Sequence, residues 1–310
     1  MVILLENHQS PGDILMLTSC VRDLKKAYPE IKIAVKTTAQ ELWENNPNII
    51  NNYERFDKII QMHYPLINKS TRGSYHFIHG FTQYLEEQLN LKIPVTDFSC
   101  DVYLSEEEKH SDYIPNLIGN KPFWIVDAGY KNDFTNKMWE FDRFQQVINK
   151  TKDRINWVQI GASNHNHKLL ENVIDLRGKT SHRQFIQLMW HCKGVLTPVS
   201  YPMHLSTMPM KDSDRKRPCV VIAGGREPSV WEQYTTHQYI HNCGILSCCK
   251  NGACWKSRVE KLNDNDLKKN NSLCLFPTKT NSGQIIPKCL DMITVDEVVR
   301  RIELYLDNNF

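Results

Sequence analysis

Apolar and polar positions alternate along this chain in two rhythms. Residues 2–5 form a short apolar run, residues 6–13 are polar, and Ile14, Leu17, Val21 and Leu24 fall on one helical face. This predicts a buried strand, a tight turn at Ser10-Pro11-Gly12 and a helix over 14–27. The pattern continues with strands at 31–36, 57–62 and 100–104. A short helix is expected at 39–44, stopped by Asn45-Asn46-Pro47, and a longer one at 77–89 on Phe77, Phe81, Tyr84, Leu85 and Leu89. Strand and helix in alternation imply a parallel sheet.

Residues 105–110 are polar and 116–122 carry Gly and Pro, which predicts a domain boundary near Asn120. The rhythm then restarts. Strands are expected at 123–127, 157–160, 173–176, 194–197 and 219–223, with helices at 141–150, 181–191 and from about Tyr201. The fold class is therefore α/β, with two Rossmann-like halves, 1–119 and 120–310, facing each other across a cleft. Residues 242–290 break the rhythm. Residues 294–306 close the chain as an amphipathic helix opened by the capping box Thr294 to Glu297.

At 310 residues and 41% hydrophobic content the chain can bury a large core. A net charge of +3 without a basic stripe disfavours nucleic acid as a partner. The one basic run, 211–217, is interrupted by acids and is expected to be a solvated loop. No run approaches the ~18 apolar residues of a bilayer span. The start of the chain also lacks the basic stretch and cleavage site of a secretion signal, so a cytoplasmic protein is expected. Of ten cysteines, Cys20, Cys100, Cys192 and Cys219 sit in apolar segments and read as small core residues. The other six crowd the last quarter, which in a reducing compartment points to metal before disulfide.

Candidate chemistry starts at the first turn. Gly12 suits a close backbone approach, and Asp13 sits at the mouth of the first helix. Local sequence makes Asp13 a helix cap first and a general base second.

Four stretches then coincide with one family. Gly12-Asp13-Ile-Leu before a helix, Lys137-Met-Trp139 before Phe141 and Phe144, Asp175-Leu-Arg-Gly-Lys-Thr180, and Thr197-Pro-Val-Ser-Tyr-Pro-Met-His-Leu205 together resemble glycosyltransferase family 9, whose best known members are ADP-heptose lipopolysaccharide heptosyltransferases. The resemblance runs from residue 1 to about 223. It implies a GT-B fold and inverting transfer of a sugar from a nucleotide diphosphate sugar without a catalytic metal. By position it implies Asp13 as the base and Lys137 as the donor-phosphate lysine. It also puts Ser200, Met203 and His204 in the segment that opens a phosphate-facing helix. With Lys137 and the His204 helix on the opposing half, the base reading of Asp13 overtakes the cap. Alternatives for the others are a surface lysine at 137, a core Trp139, and a buried His204 bonded to backbone.

The departures are informative. Val199-Ser200-Tyr201 stands where the family has Asp-Ser/Thr-Gly, so a changed or absent sugar specificity follows. The loop from Gly161 to Lys168 replaces one that usually offers an acid to the nucleotide ribose. A short N-terminal half implies a different acceptor surface, leaving a glycan, lipid or protein acceptor open.

Two features remain. Residues 223–228 place Gly224 and Glu227 at a strand end suited to backbone contact with a nucleotide, or to a plain tight turn. Further on, Cys249, Cys254, Cys274 and Cys289, with Cys248 or Cys243 as alternates, could furnish four thiolates for one structural iron or zinc. This resembles the iron-containing heptosyltransferases that act on autotransporter proteins. Such a staple would hold an irregular segment and need not touch the chemistry. A second class of function stays open: a catalytically inactive nucleotide- or sugar-binding protein with a metal-stapled interaction module. Val199 favours it, and Asp13 with Lys137 opposes it. An oligomer is left open.

Overall fold

The computed structural model describes residues 1–63, 66, 73, 75–211, 213 and 216–307. Among these, the chain builds two parallel sheets and one short hairpin. The first sheet has the order β2-β1-β3, from Lys32–Thr37, Val2–Asn7 and Lys58–Gln61. The second contains six strands in the order β6-β5-β4-β7-β8-β9. These are Ile174–Asp175, Asn156–Ile160, Phe123–Asp127, Gly194–Pro198, Cys219–Gly224 and His237–His241. Strands β4, β7 and β8 are buried along their whole length, as expected where helices cover both faces. The hairpin joins β10 (Pro277–Lys279) to β11 (Ile285–Pro287).

Helix α1 (Pro11–Ala27) runs through the middle, buried on residues all round its circumference. Helix α2 (Phe77–Leu89) packs beside it. One continuous core joins side chains of both sheets, from Ile3, Leu5 and Phe81 to Val195, Met203, Val221 and Trp231. A second cluster on the far face of the larger sheet is closed by Val298, Ile302 and Tyr305 of the last helix, Val295–Asp307. Its predicted cap is present, with the Glu297 amide donating to Thr294 Oγ1 at 3.2 Å.

Three expectations change. Residues 100–104 form no strand, because side chains take the groups a sheet would use: the Cys100 amide donates to Thr207 Oγ1 (2.9 Å) and the Asp101 amide to Thr18 Oγ1 (2.8 Å). The segment is a strap between the two sheet systems. Strand β9, with three polar residues in five, lacks an apolar run and was not expected. The basic run 211–217 is not a solvated loop at its end. Arg217 is fully buried, donating to the carbonyls of Cys192, Ser206 and Met208, while residues 212, 214 and 215 lie outside the described residues. A guanidinium with five donors satisfies several orphan carbonyls at once. Among the described residues no helix is long and apolar enough to cross a membrane.

Candidate active site

The first wall of the site is the turn from β1 into α1. The Ser10 amide donates to Asp13 Oδ2 at 2.9 Å, so Asp13 does cap the helix. It also lines a cavity of about 750 Å³. Burial pushes its pKa up to about 6, held back by the Ser10 hydrogen bond and by the charges of Lys137 and Lys131. Gly12 is required by contact: a Cβ there would lie 2.8 Å from His204 Cδ2. The missing side chain lets α1 rest on the helix Tyr201–Leu205 of the opposite wall.

That wall is the carboxyl edge of the larger sheet. Strand β4 sits where the order reverses, with β5 and β6 on one side and β7 to β9 on the other, the place where open α/β sheets bind ligands. Asp127 ends β4 and is buried, accepting from Ser200 Oγ at 2.8 Å and Thr197 Oγ1 at 3.4 Å, with His167 Nδ1 at 3.5 Å. Burial raises its pKa against the pull of His167 and the two hydroxyls. The His167 ring fills the notch left by two glycines, since a Cβ at Gly129 or Gly161 would overlap it. Lys137 Nζ lies 3.1 Å from Glu227 Oε1 and donates to the Val199 carbonyl at 3.3 Å. Burial, and then the neighbouring Arg226, bring its pKa down to about 8. Arg226 is buried, pairs with Glu227, donates to the Lys256 carbonyl at 2.8 Å and lies over the Phe134 ring at 4.9 Å. Buried Glu232 faces the same cations and lies 3.8 Å from His204 Nε2. His204 bonds Tyr234 Oη through Nδ1 at 2.8 Å, and burial holds its pKa well below 6.5, so the ring is neutral.

No family model and no curated protein matches this sequence. Solved structures do match its shape. A family 9 glycosyltransferase from Veillonella parvula DSM 2008 superposes with a TM-score of 0.65 at 16% identity, over 99% of this chain and 97% of that one. The E. coli heptosyltransferase WaaC with ADP gives 0.56 at 14% identity, covering 99% and 98%. The iron-containing dodecameric glycosyltransferase TibC from enterotoxigenic E. coli H10407 gives 0.64 at 14% identity, over all of this chain and 77% of its own. The fold is that of family 9 glycosyltransferases.

Within that fold, the cavity gathers Gly12, Asp13, Lys137, Gly161, Ser200, His204 and Glu227 of the residues singled out in the sequence. Met203 and Gly224 are not among its lining residues. Met203 is fully buried in the core, and Gly224 (φ +66°) packs on Leu290 and Cys289 Sγ. His204 is bonded to a side chain rather than to backbone. Sequence reasoning missed Asp127, His167, Arg226, Glu232 and Trp255, all on the cavity wall. Asp127 had a signal: it ends the first strand of the second half, the strand beside which a Rossmann-like order reverses. Val199 turns its side chain into the core and only its carbonyl toward Lys137.

The Cys-rich segment lies against the end of β8. All ten cysteines are free thiols. The Gly244 amide meets Cys249 Sγ at 3.3 Å, and Cys249 and Cys289 press on Gly225 and Gly224. Burial, and after it the neighbouring thiols, raise the pKa of Cys243, Cys248 and Cys289, that of Cys243 and Cys289 to about 12. Soft thiols are the right donors for iron or zinc. Among the described residues no group of three or more His, Cys, Asp or Glu side chains is placed to hold a metal ion.

Proposed function

We propose that this chain is an inverting glycosyltransferase that moves a heptose or hexose from a nucleotide diphosphate sugar of the ADP-heptose type to a glycan, lipid or protein hydroxyl. One observation carries the reading. A half-buried carboxylate poised at about 6 shares a cavity with a lysine and an arginine at the switch point of a Rossmann-like sheet. Asp13 accepts the acceptor hydroxyl's proton as that oxygen bonds the anomeric carbon. The anomeric carbon–oxygen bond to the diphosphate breaks on the opposite face, and its electron pair leaves with the phosphate. Lys137 and Arg226 neutralise the charge that develops there, a task that needs no catalytic metal. Residues 1–119 supply the acceptor side and residues 120–310 the nucleotide-sugar side.

The thiol cluster belongs to the same proposal as a structural site for iron or zinc, in keeping with TibC being iron-containing. A cytoplasmic location suits thiols that stay free. Elemental analysis of purified protein tests the metal: about one equivalent supports it, and less than about a tenth contradicts a tight thiolate site. Val199 in place of the family's aspartate favours one rival, a binding protein that has lost turnover. Incubating wild type and Asp13→Asn with ADP-, GDP- and UDP-sugars separates the two. Release of nucleotide by wild type alone supports transfer; binding without release in both supports the rival.

A further inference from the structure

Five residues other than glycine have positive φ among the described residues. Four are Asn45, Asn90, Asn172 and Asn265, the side chain that tolerates the left-handed region best. The fifth is Trp255 at φ +56°. A bulky residue stays in that region only when its surroundings over-determine it, and such positions cluster at functional sites. Here the determinants are visible. The amides of Cys254 and Trp255 donate to the carbonyls of Gly225 (3.2 Å) and Arg226 (3.3 Å). The Lys256 carbonyl accepts from Arg226 Nε (2.8 Å) and Asn136 Nδ2 (3.2 Å), and the Ser257 amide donates to Ser272 (2.8 Å).

The strained residue faces the cavity. Its ring lies 5.0 Å from that of Trp231 and 6.4 Å from that of Phe77, which opens α2 and also lines the cavity. The Arg226 guanidinium carbon lies over the Trp255 ring, 5.9 Å from its centroid. An aromatic cluster thus lies beside Arg226, with Trp255 and Phe77 on the cavity wall. The geometry points to Trp255 as the stacking platform for a pyranose ring, set in place by the Cys-rich segment; this deepens the glycosyl-transfer reading and rests on it. The electron-rich face of an indole attracts the polarised C–H bonds on the apolar face of a sugar, a contact that is tolerant of hydroxyl configuration.

The pyranose could belong to the donor or to the acceptor, and calorimetric titration distinguishes them. Wild type, Trp255→Phe, Trp255→Ala and Trp255→Gly are titrated with ADP, GDP and UDP, with the corresponding nucleotide sugars, and with methyl glycosides in the presence of saturating nucleotide. Melting curves confirm that each variant is folded, and Trp255→Phe keeps a ring should the smaller variants fail. The expected result is an affinity for the free nucleotide unchanged within about twofold. Either the nucleotide sugar or the glycoside then weakens about tenfold in the Ala and Gly variants and less in Phe, the size of one aromatic contact. The proposal is overturned if both sugar arms are unchanged, or if free nucleotide weakens as much as its sugar, which would make the ring a support for Arg226. Absence of any nucleotide binding in wild type would instead fell the glycosyl-transfer reading itself.

Discussion

Two regions reach the same cavity by different physics. The turn from β1 into α1 is short, local and periodic: strand, Gly, acid, helix, with Asp13 three residues from the amide it caps. The Cys-rich segment is aperiodic and is fixed by partners far away in the chain, Cys254 on Gly225 and Lys256 on Arg226 and Asn136. Nothing in its sequence required it to touch the chemistry, and it delivers Trp255 to the cavity wall and anchors Arg226. Nearness to the site and legibility in the sequence are separate properties.

The sharpest way to break the comparison is to remove the chemistry from one region only. Asp13→Asn should lower turnover by roughly 10²–10⁴-fold, the usual contribution of a positioned base. With Asp13 near 6 needed ionised and Lys137 near 8 needed charged, kcat/KM should rise through pH 6 and fall through pH 8. A profile flat across both limbs would remove Asp13 and Lys137 from these roles.

Glycine contacts come next, Gly12 in the first turn and Gly224 at the end of β8, under Cys289 and Leu290 of the Cys-rich side. Gly224→Ala combines positive φ with a Cβ 2.9 Å from Leu290, and should cost about 2–4 kcal/mol in chemical denaturation. Gly12→Ala meets the His204 ring closely, at 2.8 Å, and should cost about 1–3 kcal/mol. Equal costs would show that the β8 end relaxes more easily than its packing on Leu290 and Cys289 suggests.

Asp13 also makes a stability prediction opposite in direction to its role in catalysis. Its folded pKa of about 6 lies above the ordinary 3.8. Its contribution to stability is therefore fully present below about 3.8 and is lost as pH rises through 6. Asp13→Asn should be more stable than wild type by on the order of 1–3 kcal/mol at pH 7.5, with the gap closing by pH 4, because the amide can still accept from Ser10. A variant less stable than wild type at pH 7.5 would mean that the cap outweighs desolvation.

These regions also show how much of the molecule was legible beforehand. Periodicity and turn chemistry located both sheets, α1 and the closing helix, because burial on one face leaves a local trace. The first turn was read the same way, whereas Lys137 was singled out only by the resemblance to family 9. Strand 100–104 was misjudged because an apolar run cannot reveal that Thr18 and Thr207 will take its amides. Arg217 was misjudged because charge predicts exposure until several carbonyls are left without donors. Arg226 and Glu232 depend on contacts between distant residues, which no local window contains, while Asp127 could have been found at the end of a predicted strand.

The smallest effect probes the backbone of the less legible region. Trp255→Ala and Trp255→Gly remove the same ring and lose the same contacts with Trp231 and Phe77, so their difference isolates the main chain. Alanine ordinarily stabilises a protein relative to glycine by narrowing the unfolded ensemble. At φ +56° the order should reverse, with glycine more stable by about 1 kcal/mol, because only glycine enters the left-handed region without a Cβ penalty. Thermal and denaturant unfolding of the pair would read this directly. If alanine proves the more stable, the segment relaxes out of the left-handed region once the indole is gone, and it is the ring's packing, rather than the hydrogen bonds to Gly225 and Arg226, that holds the backbone there.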